Sequence, residues 1–168
     1  MLRIYYADVS GLDPAGDYAL SEYRRARLAS VRQDASRRCG IGAELLLNRA
    51  IIDWRSDFPL PLDIVTLEHG NPALRGGEIY IGLSHSGTYA AAAVCDEDFG
   101  LDIQRNMPPN IALARRFFAA DEQEYIACAA DAGLAFTEIW CRKESYIKAL
   151  GTGLATPLPS FSVMDMPG

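Results

Sequence analysis

An α+β fold is predicted by the order in which two periodicities occur along the chain. A strand-like segment opens the sequence, helix-spaced segments follow, short alternating segments fill 78–104, and helix spacing then returns. The breaks inside the 78–104 group, Ser84-His85-Ser86-Gly87 and Asp96-Glu97-Asp98, are short enough for antiparallel neighbours. With 168 residues the chain has room for one substantial core or for two small, closely packed lobes. The residues show no internal repeat, no low-complexity tract and no long linker.

Leu2 to Val9 reads as the first strand, and Ser10-Gly11-Leu12-Asp13-Pro14 ends it. Ser21 fits an N-cap, ahead of Tyr23, Leu28 and Val31 at helical spacing. A longer helix is predicted from about Asp34 to Trp54, with Ile41, Leu45, Leu46, Ile51 and Ile52 as its apolar stripe. Pro59 and Pro61 prevent it from continuing. Asp63 to Glu68 has no clear type, and turns are expected at His69-Gly70-Asn71-Pro72 and at Gly76-Gly77. Three strands follow, at Glu78–Leu83, Tyr89–Val94 and Phe99–Gln104. Ile111 to Ala132 is helical in spacing, with a fresh start at Asp121-Glu122. A last helix spans about Leu134 to Leu150 and stops at Gly151, and Phe161 to Met164 reads as a final strand.

Composition narrows the function classes. Roughly half the residues are apolar (49%) and 23% are charged, an ordinary balance for a soluble globular protein. A net charge of −6 argues against general nucleic-acid binding, which needs a basic surface. One basic strip stands out, with Arg24, Arg25, Arg27, Arg32, Arg37 and Arg38 against only Glu22 and Asp34. Such a strip on an acidic chain suits a local anionic ligand such as a phosphate. Arg37 and Arg38 in the first turn of a helix oppose its dipole, so either an anion or plain solvation fits them. Cys39, Cys95, Cys128 and Cys141 form no Cys-x-x-Cys pair and no metal spacing with His69 or His85, so free thiols are expected. The first residues carry no secretory pattern and no apolar run approaches membrane-spanning length. The expectation is a cytoplasmic protein that engages neither membrane nor nucleic acid.

Fourteen of the sixteen basic residues are arginine, and the only lysines, Lys143 and Lys148, flank Glu144. An ammonium is a compact charge that the planar guanidinium does not replace. Glu144 and Lys148 are four apart on the last helix, which fits a surface ion pair or a shared ligand site. In an extended Leu101-Asp102-Ile103-Gln104, Asp102 and Gln104 share one face. That pair, with Glu144, is a candidate oxygen set for Mg2+, which takes few carboxylates and several waters or phosphates. His85 sits in a tight polar turn and could serve a phosphate or the turn itself; no Gly-x-Ser-x-Gly elbow is present.

In order, the Arg-rich early helices, Gly70-Asn71-Pro72, Ser84-His85-Ser86-Gly87, Gly100-Leu101-Asp102-Ile103-Gln104 and Arg116-Phe117-Phe118-Ala119-Ala120-Asp121-Glu122 lead to Trp140-Cys141-Arg142-Lys143-Glu144-Ser145-Tyr146-Ile147-Lys148-Ala149-Leu150-Gly151. Together with Gly153-Leu154, Pro157-Leu158 and Phe161-Ser162-Val163, this succession resembles the Sfp-type 4'-phosphopantetheinyl transferases. The resemblance implies two similar α+β lobes, 1–105 and 106–168, the second abbreviated, packed as one unit around a ligand cleft. It implies Mg2+-dependent transfer of the 4'-phosphopantetheine arm of coenzyme A to a serine of an acyl or peptidyl carrier protein, releasing adenosine 3',5'-bisphosphate. Asp102, Glu144 and Lys148 would be catalytic, with Asp102, Gln104 and Glu144 on the metal. Arg24, Arg27, Arg38, Ser84, His85, Lys143 and Lys148 would contact coenzyme A. Relatives usually carry an acid where Gln104 stands, so the second expectation is a relative that binds coenzyme A or a carrier without efficient transfer. A homodimer is one way to cover an abbreviated lobe.

Overall fold

The computed structural model describes residues 1–68 and 70–165, with backbone alone at Leu154; His69, the first residue of one expected turn, lies outside them. Strand β1 (Leu2–Asp8) leads to helices α1 (Glu22–Ala29) and α2 (Asp34–Trp54). The hairpin β2 (Ile64–Thr66) and β3 (Pro72–Leu74) follows, and then the longer strands β4 (Tyr80–Ser86) and β5 (Tyr89–Cys95). Helices α3 (Ile111–Phe117), α4 (Ala120–Cys128) and α5 (Ala132–Ala149) complete the described order, with short 3-10 turns at Gly153–Ala155 and Leu158–Ser160. The fold is α+β, as the segregated periodicities predict.

The main sheet has order β1-β5-β4 and is antiparallel throughout. β5 lies in the middle, and its run Ala90–Ala93 is buried. Ala90 and Ala92 pack against α2, and Gly42 brings that helix close to the end of β1, where a Cβ would lie 2.3 Å from Val9 Cγ1. Leu47, Ala50 and Ile51 of α2 pack with Ala92 and Val94 of β5 and with Ile64, Leu74 and Ile79. The buried face of α2 therefore centres on Leu47 rather than on Leu45 and Ile52, which are half-buried. The β4–β5 turn carries Gly87 at φ +62°, a left-handed conformation that costs glycine little.

A separate apolar cluster joins the last three helices. Phe118, Ile126, Phe136 and Ile139 pack there with Val163 and the half-buried Trp140. Phe118 and Phe136 have ring centroids 5.3 Å apart, and Phe136 stacks on Trp140 at 6.5 Å. Ser21 caps α1 by accepting from the Arg24 backbone N–H, as its position suggested.

Two expected strands do not form. The 99–104 segment advances alongside β4, but without a backbone ladder. The Ile103 N–H donates to Ser84 Oγ (3.2 Å) and the Arg105 N–H to Ser86 Oγ (3.0 Å). Side chains of α5 satisfy two carbonyls on the other side, Ser145 Oγ that of Gly100 and Cys141 Sγ that of Asp102. Phe161–Met164 is likewise held by side chains, with the Val163 N–H on Glu122 Oε1 (2.8 Å) and the Phe161 carbonyl on Lys143 Nζ (2.6 Å). In both segments side chains take the backbone groups that a ladder would use.

Candidate functional site

The free edge of β4, the 99–105 segment and α5 meet in one groove. Gly100 makes the meeting possible: a Cβ there would lie 1.7 Å from the Ser145 carbonyl oxygen, so only glycine lets the segment lie against the helix. Ser145 Oγ then donates to the Gly100 carbonyl at 3.0 Å and fixes the register. With that register Lys148, in the last turn of α5, reaches Asp102.

Asp102 is the centre of a dense polar cluster. Its side chain is 3% exposed, and its Oδ1 accepts from Lys148 Nζ at 2.6 Å and from Ser84 Oγ at 2.8 Å. Its Oδ2 accepts from Gln104 Nε2 at 3.0 Å. Lys148 also donates to Ser84 Oγ at 3.3 Å. The helix-neighbour ion pair open to Lys148 in the sequence is thus not made; its partner is Asp102, across the groove. Glu144 has no ion pair among the described residues, and burial, with Asp102's charge adding to it, raises its pKa while Lys148 opposes the shift. A carboxylate so placed accepts a proton more readily than an exposed one. Cys141 is pushed up to about 11, chiefly by burial, and is an inert thiol.

Two cavities flank this cluster. One, of about 480 Å³, is mainly apolar and is bounded by Leu74, Ile79, Leu83, Phe99 and Leu101, with Lys148 at its border. The other, of about 390 Å³, gathers Arg24, Arg27, Ser30, Ser36 and His85. Glu44, fully buried in α2, accepts from the Ser21 backbone N–H and hydroxyl and from Arg24 Nε at 3.3 Å, which fixes the Arg24 side chain. Burial lowers the His85 pKa from 6.5, and Arg24 and Lys148 lower it further, so the ring is neutral at pH 7. Two guanidinium groups, hydroxyls and a neutral imidazole suit a phosphate.

Of the residues singled out by sequence, Asp102, Gln104, Ser84, Glu144 and Lys148 come together, and Arg24, Arg27 and His85 gather beside them. Three differ from expectation. Lys143 is fully buried in the helical cluster, ion-paired to Glu122 at 2.9 Å and donating to the Leu158 and Phe161 carbonyls, so it has no donor left for a ligand. Arg38 donates to the Leu12 carbonyl at 2.8 Å and lines neither cavity. Gln104 turns its amide nitrogen, not its oxygen, toward Asp102, because Ser86 Oγ donates to Gln104 Oε1 at 3.2 Å. Ser86, Glu44 and Gly100 also build the site, beyond the residues expected from the sequence. The alternation Ser84-x-Ser86 beside Asp102-x-Gln104 was the signal for Ser86.

A buried carboxylate bridged to an ammonium lies here with a second carboxylate and an arginine-lined hollow, an arrangement whose chemistry suits a phosphate-bearing ligand. Residues 98–168 match the family model of the 4'-phosphopantetheinyl transferase superfamily. The chain is 36% identical over 111 residues to the 4'-phosphopantetheinyl transferase psf-1 of Bacillus pumilus, covering 62% of this chain and 48% of that protein. It is 36% identical over 101 residues to the 4'-phosphopantetheinyl transferase Sfp of Bacillus subtilis (strain 168), covering 58% and 45%. With the 4'-phosphopantetheinyl transferase AcpT of Salmonella typhi it shares 34% identity over 132 residues, 75% of this chain and 65% of that protein. The match at 98–168 and these relatives make the chain similar to Sfp-like 4'-phosphopantetheinyl transferases. The chain spans about half the length of the first of these relatives.

Proposed function

We propose that the groove binds coenzyme A and Mg2+ and transfers the 4'-phosphopantetheine arm to a serine of an acyl or peptidyl carrier protein. The observation that carries this reading is the convergence of Asp102, Glu144 and Lys148, from segments far apart in sequence, between an apolar cavity and an arginine-lined one. Arg24, Arg27 and His85 receive the 3'-phosphate, and the nucleoside lies against the apolar lining. Lys148 grips the pyrophosphate. Glu144 takes the proton from the carrier serine as its oxygen attacks the phosphorus bearing the pantetheine arm. The bond from that phosphorus to the bridging oxygen breaks, and adenosine 3',5'-bisphosphate leaves.

The donor set suits the cation. Among the described residues no three His, Cys, Asp or Glu cluster as a metal cage, but Mg2+ commonly takes one or two carboxylates and completes its shell with water and phosphate. Asp102 and Glu144 would hold it, and when bound it supplies charge neutralisation at the phosphates. Gln104 serves as the donor that orients Asp102. This reading divides the chain into lobes 1–105 and 106–168, supported by the apolar clusters that fall on either side of 105. It carries a cytoplasmic setting and a possible homodimer with it. Among the described residues no helix is long and apolar enough to cross a membrane.

A second reading is favoured by Gln104 alone: an amide in place of an acid suits a protein that binds coenzyme A without efficient transfer. Incubation with coenzyme A, Mg2+ and an apo carrier, followed by chromatography of the nucleotides, separates the two. Adenosine 3',5'-bisphosphate accumulates if transfer occurs. Tight coenzyme A binding with no such product selects the second reading.

A further inference from the structure

Lys148 and a divalent cation compete for one oxygen. The ammonium stands 2.6 Å from Asp102 Oδ1, and a Mg2+ ion binds carboxylate oxygens at about 2.0–2.1 Å. Two positive centres on that oxygen repel each other, and Ser84 already donates to it. Oδ2 accepts one bond, from Gln104, which Ser86 holds in place, and a cation there would still face the Lys148 ammonium across the same carboxylate. The groove without ligand is therefore balanced by its own cation, with Lys148 paired to Asp102 while Glu144 has no ion pair among the described residues. Lys148 has somewhere to go. Its side chain is 34% exposed, its stem is flexible, and it borders the apolar cavity assigned to the nucleoside, whose pyrophosphate would lie at that border.

We propose that Lys148 is a built-in counter-ion that keeps a divalent cation off Asp102 until a phosphate-bearing ligand draws the ammonium away. Cation and phosphate then bind with positive coupling that passes through Lys148, in addition to any direct contact between them. Because coupling between two ligands is reciprocal, the cation also strengthens phosphate binding by releasing Lys148. The inference rests on the proposed cation–phosphate reading of the groove. It adds that the same lysine which grips phosphate opposes the bare metal.

The test titrates Mn2+ alone, with no phosphate present, and follows the free ion by electron paramagnetic resonance. Lys148→Met and Lys148→Gln should each bind Mn2+ on the order of tenfold more tightly than the unaltered protein, the scale of one hydrogen bond to a charged group. Arg142→Met, which removes another half-exposed cation of α5, should leave Mn2+ binding unchanged. Adding Asp102→Asn to Lys148→Met should abolish the gain. Calorimetry of coenzyme A with and without Mg2+ completes the test, the enhancement by Mg2+ being smaller in Lys148→Met than in the unaltered protein. Equal Mn2+ affinity in the Lys148 variants and the unaltered protein, with coenzyme A still bound in Mg2+, overturns the inference and leaves the functional reading intact. A gain that survives Asp102→Asn also overturns it. Absence of both Mn2+ and coenzyme A binding in every variant overturns the functional reading and the inference together.

Discussion

Replacing Lys143 by methionine separates a structural lysine from a ligand-binding one. Nζ of Lys143 lies 2.9 Å from Glu122 Oε2, 2.8 Å from the Leu158 carbonyl and 2.6 Å from the Phe161 carbonyl, and both side chains of the pair are 0% exposed. Methionine fills much the same volume, so the cost arises from an uncompensated Glu122 and two carbonyls without donors. Removing one partner of a buried pair costs about 3–5 kcal/mol. At about 2–4 °C per kcal/mol for a chain of this size, Tm should fall by about 6–20 °C. Thermal unfolding followed by circular dichroism measures this, and Glu122→Gln combined with Lys143→Met should cost less than the sum of the single changes. Coenzyme A affinity, measured well below the transition, should be unchanged. A Tm within about 2 °C of the unaltered protein, together with a large loss of coenzyme A affinity, would refute the reasoning and return Lys143 to the groove.

Other changes test the groove itself. Gly100→Ala should destabilise the protein by about 1–3 kcal/mol in urea unfolding, because the new methyl meets the Ser145 carbonyl at 1.7 Å. Glu144→Gln should lower transfer by about 10²–10⁴-fold, the usual contribution of a general base, while coenzyme A still binds. The pH dependence involves His85, whose pKa is held below 6.5 by burial and by Arg24 and Lys148 in the free protein. A bound phosphate favours the protonated ring, so binding takes up a proton and this contribution is lost as pH rises. The ratio of coenzyme A affinity in the unaltered protein to that in His85→Gln should therefore grow as pH falls below 6.5, and a constant ratio would exclude His85 from the phosphate site.

Much of this architecture is legible in the sequence because it depends on local patterns. Pro59 and Pro61 limit α2, Ser21 caps α1, and Gly151 follows the end of α5. The alternation that puts Asp102 and Gln104 on one face survives even though 99–104 is not a strand, since extended backbone alone enforces it. What the sequence could not reveal is long-range. Whether 99–104 joins the sheet depends on Ser84 and Ser86 reaching its N–H groups first. Lys143 and Lys148 look alike locally. One is buried because the 158–164 segment folds over it, and the other reaches a carboxylate forty-six residues away. Arg24 looked like a free cation of a basic strip, yet Glu44, twenty residues further on, holds it.

The central claim is that Asp102, Glu144 and Lys148 form a transfer site for the phosphopantetheine arm. Intact-mass spectrometry of apo acyl and peptidyl carriers, after incubation with the protein, coenzyme A and Mg2+, tests it most directly. A mass gain of one phosphopantetheine group on the carrier serine is expected, absent when Mg2+ is chelated and about 10²–10⁴-fold slower to appear with Glu144→Gln. Folded protein that binds coenzyme A yet leaves every carrier at its starting mass would contradict the claim.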